Sequence, residues 1–263
     1  KQLTEIVQDA IHGANALTLG IGISAPGLQD GERCLFAPNL QAINQQRPAA
    51  DLSQATGVTA FCMQESRALC MAERLYGKAR GMDDFAMLDI TSGLGLGVFS
   101  GGDLMQGHNG LAGELGHITV DPAGKLCGCG NHGCLETLAT DSALAGMISE
   151  RLGRRLTVTE VIEQLQQGTL QAAEEVNLVC EYLAIAMAAA INLFNPTTLF
   201  VYGQLLSISE GTVEQVVRMT RRRTLDPSFQ ACRIEAAETT KQHAAVAAVV
   251  HNLTRAAGPR VAE

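Results

Sequence analysis

Three of the eight cysteines crowd into the segment Cys127-Gly128-Cys129-Gly130-Asn131-His132-Gly133-Cys134, where thiols have little packing use. Thiolates are soft ligands that suit Zn²⁺ in a tetrahedral site, and three cysteines with one histidine form a common closed structural set. Two histidines compete for the fourth place. His132 lies inside the loop, where tight glycine turns point it outward, and His117 closes the preceding segment Gly113-Glu114-Leu115-Gly116-His117. The glycine turns favour His117 over the sequence-near His132. A reduced loop without metal, or a Cys127–Cys129 redox pair, is the alternative. The other five cysteines, Cys34, Cys62, Cys70, Cys180 and Cys232, sit among apolar neighbours and read as small hydrophobes.

Glu114 and Glu136 flank the cysteine segment, so a knotted loop would fold both toward one place. Paired carboxylates there can accept hydrogen bonds from sugar hydroxyls. Gly93-Leu94-Gly95-Leu96-Gly97 has the bare backbone that lets N–H groups approach a phosphate. It is not a dinucleotide fingerprint, which needs G-x-G-x-x-G opening a helix, and a glycine-rich hairpin is the competing reading. The basic run Arg218, Arg221, Arg222 and Arg223 reads as a charged last helical turn rather than a nucleic-acid patch.

Positioning these groups falls to an alternation of strands and helices. Leu3, Ile6, Val7, Ala10 and Ile11 have helical spacing, Leu17 to Ile23 reads as a buried strand, and Pro26-Gly27 and Asp30-Gly31 as turns. A strand at Val58 to Cys62 leads into a helix over Glu65 to Tyr76. Phe85 to Ile90 and Leu94 to Phe99 are apolar strands, with a hairpin turn at Gly101-Gly102. From Asp141 to Asn195 the pattern is helical, its last helix stopped by Pro196. A strand at Thr197 to Tyr202, a helix from Glu210 to Arg222, a strand over Arg233 to Ala236 and a helix from Lys241 to Thr254 complete a mixed α/β order.

The 263 residues carry 19 Lys+Arg against 27 Asp+Glu, a net charge of −8, and are 46% hydrophobic. That is a folded composition, of two domains at roughly 100–200 residues each, and its acidic balance argues against nucleic-acid binding by the surface as a whole. The longest apolar run, Tyr182 to Ile191, falls short of the roughly 20 residues that a bilayer demands. No signal-peptide pattern opens the chain, so the expectation is a cytoplasmic protein without a membrane partner. A first residue Lys1 rather than Met suggests a piece of something longer, with material upstream.

The chain resembles the ROK family, named for its repressors, open reading frames and kinases. The resemblance rests on Leu111-Ala112-Gly113-Glu114-Leu115-Gly116-His117 followed by Cys127-x-Cys129-Gly130-x-x-Gly133-Cys134-x-Glu136. Supporting pieces are Gly20 through Gly27, Pro38-Asn39-Leu40, Arg67 through Glu73, Gly93 through Gly97, and Ile191 through Pro196. It implies an α/β, two-lobed actin-like ATPase fold (ribonuclease H-like, hexokinase-type) with a zinc-binding loop and a ligand cleft between the lobes. The N-terminal lobe would comprise residues 1–83 plus about 240–263, without the first phosphate-loop strands. The C-terminal lobe, 84–239, would carry the zinc loop and oligomerisation helices. The implied zinc ligands are His117, Cys127, Cys129 and Cys134. The implied contacts to a sugar or sugar phosphate are Asn39, Gln64, Glu65, Glu114, His117 and Glu136, in a homodimer or homotetramer.

Two departures from the family's kinases stand out. Their Asn-Asp pair, sugar ligand and general base, is matched here by Gln64-Glu65, which moves Glu65 outward by a methylene; a misplacement near ~1 Å can cost on the order of 100-fold in rate. Their Gly-Thr-Gly phosphate loop is matched by Gly93-Leu94-Gly95, so Gly93, Gly95 and Gly97 would be a remnant of it, lacking the hydroxyl. Both favour the effector-binding and oligomerisation part of a sugar-responsive transcriptional regulator, with structural Zn²⁺, touching DNA only through a winged helix-turn-helix upstream of Lys1. The alternative is an ATP- and Mg²⁺-dependent kinase of a hexose or N-acylhexosamine. A zinc hydrolase is disfavoured, since four protein ligands leave no open position for water.

Overall fold

The computed structural model describes residues 2–30 and 33–257. Gly31 of the expected Asp30-Gly31 turn, together with Lys1 and residues 258–263 of the expected N-terminal lobe, lies outside them. In chain order the elements are α1 (Gln2–His12), β1 (Ile21–Ala25), β2 (Leu28–Asp30), β3 (Arg33–Phe36), α2 (Pro48–Thr56), β4 (Ala60–Gln64) and α3 (Glu65–Tyr76). Then come β5 (Phe85–Asp89), β6 (Gly95–Ser100), β7 (Asp103–Leu104), α4 (Asp141–Leu152), α5 (Val158–Gln166) and α6 (Ala173–Phe194). The chain continues through β8 (Thr198–Tyr202), α7 (Glu210–Arg221), α8 (Asp226–Ala231), β9 (Arg233–Ala236) and α9 (Lys241–Ala257). They fall into two compact units, one of Lys1–Arg80, Gln106–Ala112 and Glu238–Glu263, the other of Gly81–Met105 and Gly113–Ala237.

In the first unit β1 and β4 pair in parallel, from Ile21 opposite Ala60 to Ala25 opposite Gln64. Ala49, Leu52 and Ala60 form a small core, joined by Val7 of α1 and by Ile21, Ile23 and Cys62. Helix α9 lies close on β1: a Cβ at Gly22 would stand 1.8 Å from the Ala245 carbonyl oxygen, so only glycine permits that approach. The strand expected from Leu17 begins instead at Ile21, whose N–H bonds the Thr59 carbonyl. Leu17 and Leu19 are 85% and 70% exposed; they precede the residues that β4 can pair, so an apolar run alone did not make a strand. A fully buried carboxylate, Glu73 of α3, accepts from the N–H groups of Lys78, Glu238 and Thr239 and from the Thr239 hydroxyl at 2.6 Å. It ties α3 to the chain that enters α9.

The second unit is built on a five-stranded sheet of order β7-β6-β5-β8-β9, antiparallel from β7 to β5 and parallel from β5 to β9. Every residue of β5 is buried, as expected for a central strand covered on both faces. Gly101 and Gly102, with φ of 60° and 84°, form the two-residue turn that pairs Ser100 with Asp103. Helix α6 ends at Asn195, which adopts φ 44° just before Pro196. The apolar run Tyr182 to Ile191 is only the middle of this 22-residue helix, the one among the described residues long and apolar enough to cross a membrane. Half of its most apolar window is buried, however, with Leu183, Met187 and Ile191 in the core of the unit beside Leu88, Ile90, Leu94 and Leu96.

Candidate functional site

The backbone of residues 113–116 lies directly on β6. A Cβ at Gly113, which has φ 99°, would stand 2.1 Å from the Leu96 carbonyl oxygen, and one at Gly116 would stand 2.3 Å from that of Leu94. The Leu96 N–H bonds the Gly113 carbonyl at 3.0 Å, and Leu115 is buried in the core. Glu114 and His117 therefore project from a short segment whose backbone is held against the sheet. The cysteine loop folds back on it: Leu135 N–H bonds the Ile118 carbonyl at 2.9 Å, and Val120 N–H bonds that of Gly133 at 2.8 Å. Within the loop Cys127 N–H bonds Asn131 at 2.8 Å and Gly130 N–H bonds Cys127 at 2.9 Å. Gly133, at φ 63°, is indispensable there, since a Cβ would fall 1.5 Å from the Asp121 carbonyl oxygen.

This fold-back brings together His117, Cys127, Cys129 and Cys134, whose ligand atoms all lie within 4.8 Å of one another. The Cys129 and Cys134 sulfurs are 3.6 Å apart, and Cys127 Sγ is 3.7 Å from His117 Nδ1. A tetrahedral ion bound by thiolates at ~2.3 Å and an imidazole at ~2.0–2.1 Å has ligand–ligand edges of roughly 3.6–3.8 Å. The donor set and its spacing thus fit a metal ion. His132 turns the other way, its Nδ1 3.1 Å from the Gly124 carbonyl oxygen on the exposed side. Burial pushes the Cys127 and Cys134 thiols up, a cost that a bound cation would offset. All eight cysteines are free. Among the scattered five, burial pushes Cys62 and Cys232 up to about 11 and Cys180 up to about 12, the behaviour of packed hydrophobes.

The His117 ring joins this cluster to two carboxylates. Its Nδ1 is 3.8 Å from Glu136 Oε1 and its Nε2 is 3.8 Å from Glu114 Oε2. Glu136, 9% exposed, accepts from the Cys127 thiol at 3.0 Å, whereas the Glu114 side chain is 30% exposed. The arrangement offers carboxylate acceptors beside an imidazole, all fixed by the same loop, which is chemistry for holding hydroxyls. Thr140 adds support from α4: its hydroxyl caps the helix by accepting from Ala143 N–H and donates to the Glu136 carbonyl at 3.1 Å.

Gly93, Gly95 and Gly97 lie at the β5–β6 turn, Gly95 and Gly97 within β6 opposite Asp89 and Met87. Leu94 is buried at 4% in the core. The nearby Thr91 hydroxyl and N–H both bond Asp89 Oδ1, at 2.7 and 3.0 Å. At the end of β8 the N–H groups of Gln204 and Leu205 bond the two carboxylate oxygens of buried Asp141, at 2.7 and 2.8 Å. Asp141 went unnoticed in the sequence because an acid in the first turn of a helix is explained by the helix alone.

The remaining expected residues belong to the first unit. Asn39 is exposed in the turn after β3. Gln64 is buried, and its Oε1 caps α3, accepting from Arg67 N–H at 3.0 Å and from the Ser66 hydroxyl at 2.7 Å. Glu65 opens α3 and is ion-paired to Lys241, Oε1 to Nζ 2.6 Å. Lys241, the first residue of α9, could not be found from sequence, because only the fold sets it beside a residue at the start of α3.

A family model described as "ROK family" matches residues 1–253. The DNA-binding transcriptional dual regulator NagC of Escherichia coli (strain K12) is 31% identical over 198 residues, 71% of this chain and 48% of that protein. The chain spans about half the length of the curated relatives it matches. A solved ROK family transcriptional regulator, homologous to the E. coli MLC protein, superposes with a TM-score of 0.80 at 27% identity, covering 96% of this chain and 68% of that one. A ROK family glucokinase from Streptomyces griseus, solved with glucose and AMPPNP, gives a TM-score of 0.83 at 25% identity, covering 95% and 87%. Regulators and sugar kinases are thus both among the similar proteins.

Proposed function

The chain belongs to the ROK family and has its actin-like ATPase fold, and on that premise we propose that it is the effector-binding and oligomerisation part of a sugar-responsive transcriptional regulator. The observation that carries this over a sugar kinase is Leu94. Phosphoryl transfer depends on donors and cations clamped on the phosphates, and at the position where the kinases' loop has its hydroxyl this chain has an apolar side chain sunk in the core. Proteins named as transcriptional regulators or repressors among the relatives support the same reading.

The ion held by His117, Cys127, Cys129 and Cys134 is Zn²⁺ in this reading. Four protein ligands close its coordination, so its contribution is structural: when bound it fixes the loop that carries Glu114, His117 and Glu136. Those three residues contact a hexose or hexosamine, free or phosphorylated. The protein works in the cytoplasm as a homodimer or homotetramer, and DNA is contacted by a winged helix-turn-helix carried by the full-length protein upstream of Lys1. ATP turnover by the full-length protein with a panel of hexoses and N-acylhexosamines tests the reading. No turnover above background is expected, and rates in the ordinary enzyme range of ~1 to 10³ per second would establish the kinase instead.

A further inference from the structure

In α/β folds ligands gather beyond the carboxyl ends of the strands, and at the end of β4 the first polar groups are Gln64 and Glu65. Gln64 is committed to the architecture, its carbonyl oxygen already accepting from Arg67 and Ser66. Glu65 is not alone either: its carboxylate lies 2.6 Å from the Lys241 ammonium, with side chains 18% and 33% exposed. A general base must hold a lone pair ready for the proton it takes, and the group it deprotonates must have its own lone pair ready to attack. A carboxylate with an ammonium at hydrogen-bond distance presents something different, an acceptor and a donor side by side.

That pair is complementary to a hydroxyl, which is itself donor and acceptor. A carboxylate has about four lone-pair sites and an ammonium three donors, so their mutual bond does not exhaust either. A hydroxyl seated across the pair donates its hydrogen to Glu65 and accepts from Lys241, and its oxygen lone pair, engaged by the ammonium, is poorly placed to attack anything. We infer that Lys241 is a sugar-recognition residue that acts with Glu65 to hold one ligand hydroxyl without activating it, so that the base position of a kinase has become a hydroxyl clamp. This rests on the reading of the protein as a sugar binder and adds to it the residue that separates binding from catalysis.

Calorimetric titration of the full-length protein with D-glucose, N-acetyl-D-glucosamine and their monodeoxy analogues tests the clamp. Lys241→Met, which keeps the aliphatic stem, should weaken the preferred sugar about tenfold, the scale of a hydrogen bond to a charged group. Lys241→Arg should restore most of that. One monodeoxy analogue should bind the wild type about tenfold more weakly than the parent sugar yet bind Lys241→Met as well as the parent does. Lys241→Met binding within about twofold of wild type, or losing affinity equally for the parent and every deoxy analogue, overturns the clamp while leaving sugar binding intact. A wild type that binds none of the sugars overturns the underlying reading, and the clamp with it.

Discussion

Glu136 Oε1 accepts the thiol of Cys127 at 3.0 Å, so a carboxylate suited to a sugar hydroxyl is bonded to a residue of the metal-ligand cluster. The proposed sugar contacts and the cluster that could hold a metal share His117, so losing the metal should be felt by the sugar, whereas a contact beyond the cluster, such as Glu114, can be lost without the metal.

Protein prepared without chelators and desalted should carry one metal ion per chain by elemental analysis. Cys129→Ser is the informative variant, because Cys129 is partly exposed while Cys134 is wholly buried, and replacing Cys134 would confound ligand loss with packing loss. The variant should melt at a lower temperature and lose metal, since metal binding is coupled to folding of the loop. Folded, reduced wild-type protein with a stoichiometry near zero would remove the metal site from the account.

Glu114→Ala should lower sugar affinity by about 10- to 100-fold, the loss of charged hydrogen bonds to hydroxyls, with metal content unchanged. Its side chain is 30% exposed and 3.8 Å from His117 Nε2, on the side of the ring away from the cysteines. Unchanged affinity in a calorimetric titration would move the sugar site elsewhere.

Leu94→Thr is the substitution that would rebuild the kinases' glycine loop, and it should not create phosphate binding. Leu94 packs in the core of the second unit, so the new hydroxyl would be buried and cost about 1–3 kcal/mol in chemical denaturation. Turnover of ATP by the variant, with stability intact, would contradict the assignment of this loop.

The cysteine segment was legible in the sequence because its residue types have few other uses, and His117 could be chosen over His132 from the glycine turns alone. The helix Glu65–Tyr76 and the strand Arg233–Ala236 were legible with their ends, because periodicity and flanking residues agree there. Leu17 and Leu19 misled, since apolarity without a ladder partner does not make a strand. The short β2 and β3 and helix α2 were missed: three or four residues carry too little period to register, and Pro48 at the start of α2 reads as a turn until the following residues are seen to be helical. Lys241 and Asp141 act through partners far along the chain, and no local pattern announces them; Glu73 closes a segment that carries the family resemblance, but its bonds to Glu238 and Thr239 do not show there.

Glu73 supports the last prediction. It is fully buried, and its carboxylate satisfies the N–H groups of Lys78, Glu238 and Thr239 while accepting the Thr239 hydroxyl. Gly77 is shaped to it, since a Cβ there would stand 2.4 Å from Glu73 Oε1. Glu73→Ala leaves those donors without their acceptor, and at about 1–3 kcal/mol for each buried group left unsatisfied the loss should reach at least ~3 kcal/mol. Glu73→Gln keeps one carbonyl oxygen but turns an amide toward donors, so it should lie between alanine and wild type. Because the same segment leads into Lys241, sugar affinity should fall in Glu73→Gln even under conditions where the protein is still folded. Urea denaturation paired with sugar titration separates the two effects: full affinity in a folded but destabilised Glu73→Gln would confine Glu73 to stability and detach it from the placement of Lys241.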